Sequence, residues 1–146
     1  MPTPYSSIYE RALFRLSDTK LARANGMERK YILERHLNAA IADFQTKCLE
    51  DLESRSAEAE EFEAELSNEV QEILALGISY HWLSAQILNN DLLRNKLSTK
   101  DYQYFSPANL LRESTALRES VRKEYHRRMT DYTFEHGDLT LGGDQS

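Results

Sequence analysis

One stretch, residues 67–89, limits the fold more than any other, because its apolar side chains do not keep to one face. On a helix with 3.6 residues per turn they cover most of the circumference. They are Val70, Ile73, Leu74, Leu76, Ile78, Tyr80, Trp82, Leu83, Ile87 and Leu88. Since a helix that is apolar all round is buried, we predict a buried helix that is capped by Ser67 or Asn68 and runs to about Asn89. Gly77 costs about 1 kcal/mol relative to Ala inside a helix, and a close helix crossing at this point would compensate for that cost.

Two helices are predicted before this stretch. In the first, Thr3 is the N-cap, Pro4 is the first helical residue, and the helix ends near Ser17. The second covers residues 27–47, after a connection that contains Asn25 and Gly26. In both helices apolar residues recur three and four positions apart, which is the helical period. These are Tyr5, Ile8, Ala12 and Leu16, then Leu33, Leu37, Ala40, Ile41 and Phe44.

A long last helix is predicted after a short helical turn near residues 91–97. Ser106 as N-cap and Pro107 as first residue would place Phe105 and Leu110 in the pairing of a hydrophobic staple. Trp82 is interpreted as a core residue rather than a binding group. The last helix has one apolar seam with spacings of four and three, made of Leu110, Ser114, Leu117, Val121, Tyr125, Met129 and Tyr132.

These elements predict an all-α bundle of four main helices in one domain, residues 1–134. From residue 135 the sequence contains a Gly-Gly pair and few apolar residues, so we predict a flexible tail, residues 135–146. Its two leucines, Leu139 and Leu141, are candidates for docking on a partner by strand or groove addition. A simply disordered end is the alternative.

The region from Glu50 to Glu69 is strongly acidic, with nine Asp and Glu residues against one Arg. Its local charge is therefore −8, and because the whole chain carries −6, the remainder carries about +2. Blocks of like charge are usually mobile, so we interpret residues 48–66 as a solvated loop. The alternative is an electrostatic surface for a basic partner or for a neighbouring copy of the chain.

No motif for catalysis or for binding a cofactor is found. The four histidines do not have zinc-site spacing, and neither a nucleophile motif nor a Gly-rich phosphate loop is present. We therefore expect a non-enzymatic protein with no metal and no cofactor. The lone Cys48 cannot form an internal disulfide, and the N-terminus lacks the pattern of a signal peptide, which favours a reducing cytoplasm. No run approaches the roughly 18 apolar residues that a membrane span needs.

The part of the chain from Glu72 to Phe134, "EILALGISYHWLSAQILNNDLLRNKLSTKDYQYFSPANLLRESTALRESVRKEYHRRMTDYTF", carries a recognisable order of short motifs. These are Ile73-Leu74-Ala75, Trp82-Leu83-Ser84, Leu97-Ser98-Thr99-Lys100-Asp101-Tyr102, Phe105-Ser106-Pro107-Ala108-Asn109 and Tyr132-Thr133. In this order they resemble the head–tail connector proteins, or head-completion adaptors, of tailed bacteriophages. The first two helices fit that family only in outline, and the acidic region has no counterpart that can be matched residue by residue.

The resemblance implies a small helical subunit of a homo-oligomeric, twelve-fold ring beneath the portal of the DNA-filled head. The implied partners are the portal protein, a downstream neck or tail protein, and packaged DNA that passes through the channel without sequence specificity. The chain would then lie in the virion neck after assembly in the host cytoplasm, and it would have no catalytic residue. The alternative is a small cytoplasmic regulator that binds DNA or a partner protein through its last helix, where basic residues alternate with acids.

The candidate contacts between copies come from three places in the sequence. Two tyrosines lie in the connection before the last helix, two acids lie in the acidic region, and two arginines lie on the last helix. For the tyrosines, cover of the subunit's own core is the other interpretation. The six residues are Tyr102, Tyr104, Glu60, Glu61, Arg118 and Arg122.

Overall fold

The computed structural model describes residues 1–16, 21, 25–96 and 108–137. Four helices account for most of these residues: α1 (Tyr5–Arg15), α2 (Gly26–Phe44), α3 (Asn68–Lys96) and α4 (Ala108–Tyr132). Three strands of two residues each accompany them: β1 (Thr3–Pro4), β2 (Arg55–Ser56) and β3 (Glu61–Phe62). The predicted all-α class is confirmed.

Helix α3 is the centre of the bundle, and α1, α2 and α4 all pack against it. Every residue from Ile73 to Ser79 is buried, which confirms the prediction of a buried helix. The Ser67 hydroxyl oxygen accepts a hydrogen bond from the backbone N–H of Val70 at 3.2 Å, so Ser67 is the cap. The helix continues to Lys96, and residues 91–96 therefore extend α3 instead of forming a separate turn. Residues 91–96 contain no Gly or Pro that would interrupt the helical backbone.

Gly77 lies where α2 and α4 both approach α3. A Cβ atom at this position would lie 2.4 Å from the Cβ atom of Ala40 and 2.9 Å from the hydroxyl oxygen of Tyr125. Any side chain would force the helices apart, because real Cβ atoms do not approach other carbon atoms so closely. The predicted close crossing at Gly77 is confirmed.

The acidic region is not the solvated loop that we predicted, because it contributes β2 and β3 to a small antiparallel sheet with the strand order β1-β3-β2, whose first strand comes from the N-terminus. Phe62 in β3 pairs with Thr3 on one side and with Arg55 on the other. Its side chain is fully buried, and its ring meets the ring of Tyr5 edge to face at 5.1 Å. Leu52 and Leu66 are buried beside it. These apolar side chains fix the backbone of a segment that is otherwise charged.

The start of α1 differs from the prediction, since Pro4 is the N-cap and Tyr5 is the first helical residue. The Thr3 hydroxyl does not cap the helix. It accepts a hydrogen bond from the Leu66 N–H at 2.8 Å and donates one to the Ala64 carbonyl oxygen at 2.9 Å. Thr3 therefore joins the N-terminus to the segment that leads into α3, and this long-range bond takes the place of the predicted local one.

The end of α1 and both ends of α2 lie close to the predicted positions. Helix α1 ends at Arg15 instead of near Ser17, and α2 covers Gly26–Phe44 instead of residues 27–47. Asn25 caps α2, because its side-chain oxygen accepts a hydrogen bond from the Glu28 N–H at 2.9 Å.

Helix α4 buries only part of its predicted seam. Val121, Tyr125, Met129 and Tyr132 are in the core, whereas Leu117 is 41% exposed. A five-residue π-helical turn, Thr133–Gly137, extends the helix into the first residues of the predicted tail. Residues 138–146, and with them Leu139 and Leu141, lie outside the described residues. Within the described part of the chain, no helix has the length and apolar composition needed to cross a membrane.

Candidate interaction surfaces

Helices α3 and α4 are antiparallel and extend beyond the core that α1 and α2 help to form. Leu83 on α3 and Val121 on α4 are the outermost buried residues of the pair among those whose side chains are described. Beyond them Leu88 is 59% exposed and Leu117 is 41% exposed. We call residues 84–96 and 108–120 the α3–α4 arm. Among the side chains of the arm that the structure describes, Leu88 and Leu117 therefore present apolar surface to other molecules.

The base of the arm is held by a group of polar and aromatic side chains from three helices. The Asp43 carboxylate of α2 accepts hydrogen bonds from the Tyr125 hydroxyl at 3.0 Å and from the His81 ring at 2.6 Å. Arg118 donates to the Ser84 hydroxyl at 2.8 Å, and its guanidinium lies 5.4 Å from the centre of the Tyr80 ring. These contacts join α2, α3 and α4 just below the point where the core ends.

Two pKa shifts describe the environment of this group. Burial, followed by the negative charge of Asp43 and the hydrogen bond to it, raises the pKa of Tyr125, so its phenol stays protonated and donates. Burial lowers the pKa of His36 to about 4, and the neighbouring His81 and Arg35 act in the same direction. His36 is therefore neutral at pH 7. Asp43 and His81 are both partly exposed, at 40% and 25% of their side chains, so the group fits a structural joint better than an enclosed catalytic site.

Residues 50–66, which we call the acidic hairpin, present carboxylates to solvent in a regular way. After β3, buried Leu66 follows buried Phe62, and the exposed Glu63 and Glu65 alternate with the apolar positions, as the period of an extended chain requires. Glu53 and Glu58 are also exposed. Within the described residues, none of these four exposed carboxylates forms an ion pair.

The outer face of α4 has the opposite charge. Arg112, Lys123 and Arg127 are all exposed, and spacings of 11 and four residues place them on one side of the helix, opposite the buried Val121 and Tyr125. We call these three residues the outer α4 strip. In the part of the chain that the structure describes, none of the three forms an ion pair. Glu119 lies at the edge of the strip, and Arg122 already neutralises it.

A third set of charges is paired inside the subunit. Arg11 and Arg15 of α1 both bind the Glu72 carboxylate of α3, and Arg15 also lies 3.3 Å from Glu124 of α4. Burial alone would raise the pKa of Glu72, but the hydrogen bonds and charges of Arg15 and Arg11 outweigh it and hold that pKa below its usual value. An open depression of about 660 Å³ lies beside these residues, next to the 85% exposed Phe14. Arg11, Arg15 and Glu72, which line it, already bind one another, so these three side chains act as a structural contact between α1 and α3.

One group of side chains could hold a divalent cation. Glu69 in the first turn of α3 and Glu135 and His136 in the π-helical turn place their ligand atoms within 4.8 Å of one another. Glu135 is exposed, while His136 lies 3.7 Å from Glu69 and packs its ring against Tyr132 at 4.3 Å. Sequence spacing did not indicate this group, because Glu69 is more than 60 residues away from the other two.

The predicted contact residues fall into separate places. Glu60 has a left-handed φ of 55° and forms an ion pair with Lys30 at 2.8 Å, and Glu61 is half-buried in β3. Arg118 and Arg122 contact side chains of α3 and α4, so the structure does not bring the two acids and the two arginines together. Trp82 is 5% exposed and lies in the core.

The other predicted site residues are not described. Tyr102, Tyr104 and the residues of the predicted staple, Phe105, Ser106 and Pro107, lie outside the described residues, as does the side chain of Leu110. Comparisons of this chain with models of known protein families, with curated proteins and with solved structures find no match.

Proposed function

We propose that this chain is a non-enzymatic structural protein, a ring-forming adaptor that joins the capsid portal to the tail in the neck of a tailed bacteriophage. One observation carries the proposal. The residues that resemble connector proteins, 72–134, contain most of α3 and all of α4, the two helices that form the centre of the bundle and also extend beyond it. The resemblance therefore falls on the pair of helices that leaves Leu88 and Leu117 exposed.

The arm gives a physical reason for assembly. Leu88 and Leu117 are exposed in one subunit, and burying such side chains against a neighbour removes apolar surface from water. One such contact is weak, but a symmetric portal holds many copies side by side, so that weak contacts act together. We therefore expect the isolated chain to be monomeric or polydisperse and to form rings on the portal.

Mass photometry of the purified chain, with and without portal-bearing heads, tests this expectation. Leu88→Glu and Leu117→Glu should each abolish ring formation on the portal, because a carboxylate cannot be buried in an apolar contact without a large cost. Met27→Glu is the matched control, since Met27 is 86% exposed but lies on α2, away from the arm. Rings that form equally well with all three variants would contradict the proposal.

A regulator of nucleic acid is the second candidate, and the outer α4 strip favours it. A basic strip on one helix can bind phosphates, and binding of this kind weakens steeply with salt. The acidic hairpin opposes this function because it repels DNA. Stable dimers that form without portal and bind a specific DNA site in gel-shift assays would support the regulator and contradict the adaptor. Portal and capsid genes beside this one would favour the adaptor.

A further inference from the structure

Within the described part of the chain, two oppositely charged sets of exposed side chains form no ion pairs after folding. The acidic hairpin presents the four exposed carboxylates Glu53, Glu58, Glu63 and Glu65, and Arg55 is its only base. The Arg55 guanidinium donates to the Leu52 carbonyl oxygen at 2.8 Å, and its single positive charge cannot balance the carboxylates, so the hairpin is strongly negative. The outer α4 strip presents three exposed cations.

Folding keeps the two surfaces apart within one subunit. The hairpin contacts the first residue of α1, since the Tyr5 N–H donates to the Glu60 carbonyl oxygen at 2.8 Å. Helix α4 meets α1 at its other end, where Arg15 binds Glu124. Tyr5 and Arg15 are ten residues apart, which is about 15 Å along a helix.

The chain enters the hairpin beside α4, but it does so on the other side of that helix from the strip. The Tyr132 hydroxyl accepts a hydrogen bond from the Leu49 N–H at 3.1 Å. Tyr132 belongs to the buried seam, whereas Lys123 and Arg127 point to solvent on the opposite face. The strip is therefore not placed to neutralise the hairpin of its own subunit.

We propose that the acidic hairpin of one copy binds the outer α4 strip of the next copy in a head-to-tail contact. The inference rests on the proposed ring function. A contact between two different patches of the same chain generates a ring when the rotation closes, whereas a patch that contacts itself gives only a two-fold dimer. Charge complementarity identifies the occupant of each patch as a second copy of this chain.

This contact has a distinct role from the apolar contact of the arm. Exposed ion pairs add little affinity one by one, and salt screens them over about 10 Å. They do orient approaching molecules and disfavour wrong pairings, since like charges meet when two hairpins or two strips approach each other. The charges therefore select the head-to-tail arrangement, and the arm supplies apolar burial.

A zero-length cross-link locates the contact directly. Equal amounts of ¹⁴N-labelled and ¹⁵N-labelled chain are mixed at high concentration and treated with a carbodiimide, which joins a carboxylate to a lysine amine only where the two touch. We expect peptides of mixed isotope content that join Lys123 to Glu58, Glu63 or Glu65. Lys123→Arg should remove this cross-link without weakening assembly, because the charge remains while the reactive amine is lost.

A charge swap tests whether assembly depends on this contact. Glu63→Lys with Glu65→Lys, and separately Lys123→Glu with Arg127→Glu, should each weaken assembly about tenfold or more, and all four together should restore it. All four side chains are exposed, so the fold is preserved, and circular dichroism checks this. Glu10→Lys, at an exposed site of α1 away from both patches, should have no effect.

The outcomes separate this contact from the ring function itself. Suppose that rings form on the portal, but neither double charge variant weakens them, or assembly of the fourfold variant is not restored. The proposed contact is then contradicted, and the adaptor function stands. If wild type forms no ring on the portal, the adaptor function fails, while the cross-link still tests the contact. If wild type binds DNA, and Lys123→Glu with Arg127→Glu loses this binding but still assembles, the strip binds nucleic acid and the proposal is overturned.

Discussion

Replacement of Gly77 by Ala tests the central packing of the bundle. The new Cβ atom would lie 2.4 Å from the Cβ atom of Ala40, which is fully buried and cannot rotate away. Relief of this overlap needs a shift of about 1 Å between α2 and α3, and overpacking of this kind costs about 1–3 kcal/mol. The methyl group also lies 2.9 Å from the hydroxyl oxygen of Tyr125 and disturbs its hydrogen bond to Asp43, which adds about 1 kcal/mol.

Helix propensity acts in the opposite direction, because Ala is about 1 kcal/mol better than Gly inside a helix. We therefore expect Gly77→Ala to lower the free energy of unfolding by about 1–3 kcal/mol in urea melts. Gly26→Ala is the matched control, since a Cβ atom there meets no atom within 4 Å, and it should be neutral or slightly stabilising.

A double variant makes the cause specific. Ala40→Gly removes the atom that the new methyl group overlaps, so in the Gly77→Ala background it should recover part of the lost stability, although alone it destabilises. If Gly77→Ala were as stable as wild type, or more stable by the helix-propensity difference, the close crossing would not exist and the reasoning would be refuted.

Three further predictions concern single regions. Thr3→Val should cost about 1–3 kcal/mol in urea melts, because it leaves the Leu66 N–H and the Ala64 carbonyl oxygen without their bonds to the hydroxyl, and Thr3→Ser should restore most of this. Burial lowers the pKa of His36 to about 4, whereas an unfolded His has a pKa near 6.5; the unfolded chain thus takes up the proton first. As the pH is lowered from 6.5 to 4, the free energy of unfolding should therefore decrease by at most about 3 kcal/mol, and this decrease should be smaller in His36→Gln. Deletion of residues 138–146 should leave helix content and melting unchanged but abolish co-sedimentation with portal-bearing heads, because this segment carries the two candidate docking leucines; if binding persists, docking lies elsewhere.

The helices could be predicted because their signals are local. The apolar residues of α3 surround the helix, and this pattern alone requires burial on all sides. Gly77 stood out in the same way, as a residue that costs stability in a helix unless something packs closely against it. The Val121, Tyr125, Met129 and Tyr132 part of the seam followed from spacing. Leu117 has the same spacing and is exposed, because spacing predicts which face turns inward but not where the surrounding helices end.

The small sheet could not be predicted, because its pairing is long-range. Strands of two residues have no readable alternation of their own, and β1 meets β3 across nearly 60 residues of chain. The charges of Glu61, Glu63 and Glu65 also hid the apolar positions between them. A count of charge indicates a solvated segment, whereas two buried side chains, Phe62 and Leu66, are enough to fix its backbone.

The interaction surfaces show a related limit of sequence reasoning. Composition identified the acidic region and the basic last helix, but it could not tell which charges are already used. Glu60 binds Lys30, Arg118 binds Ser84, and Arg122 binds Glu119, so three of the predicted contact residues are occupied inside the subunit. Within the described residues, their neighbours on the hairpin and on the strip form no ion pair, and these are the side chains that the proposed contact uses.

The hydrogen-bonded group around Asp43, which we call the polar joint, marks the level at which the buried core of α3 and α4 ends and the arm begins. Asp43 accepts from Tyr125 and His81 at the level where α2 still contacts α3 and α4, and the last described buried residues lie close above it. Below the joint, side chains of four helices bury one another, and opening this part requires unfolding of the whole domain. Above it, Leu88 and Leu117 are exposed within the described part of the chain, and fewer buried side chains resist local opening. If the proposed assembly covers Leu88 and Leu117, the neighbour would therefore stabilise the arm as well as bind it, because it buries side chains that one subunit leaves exposed.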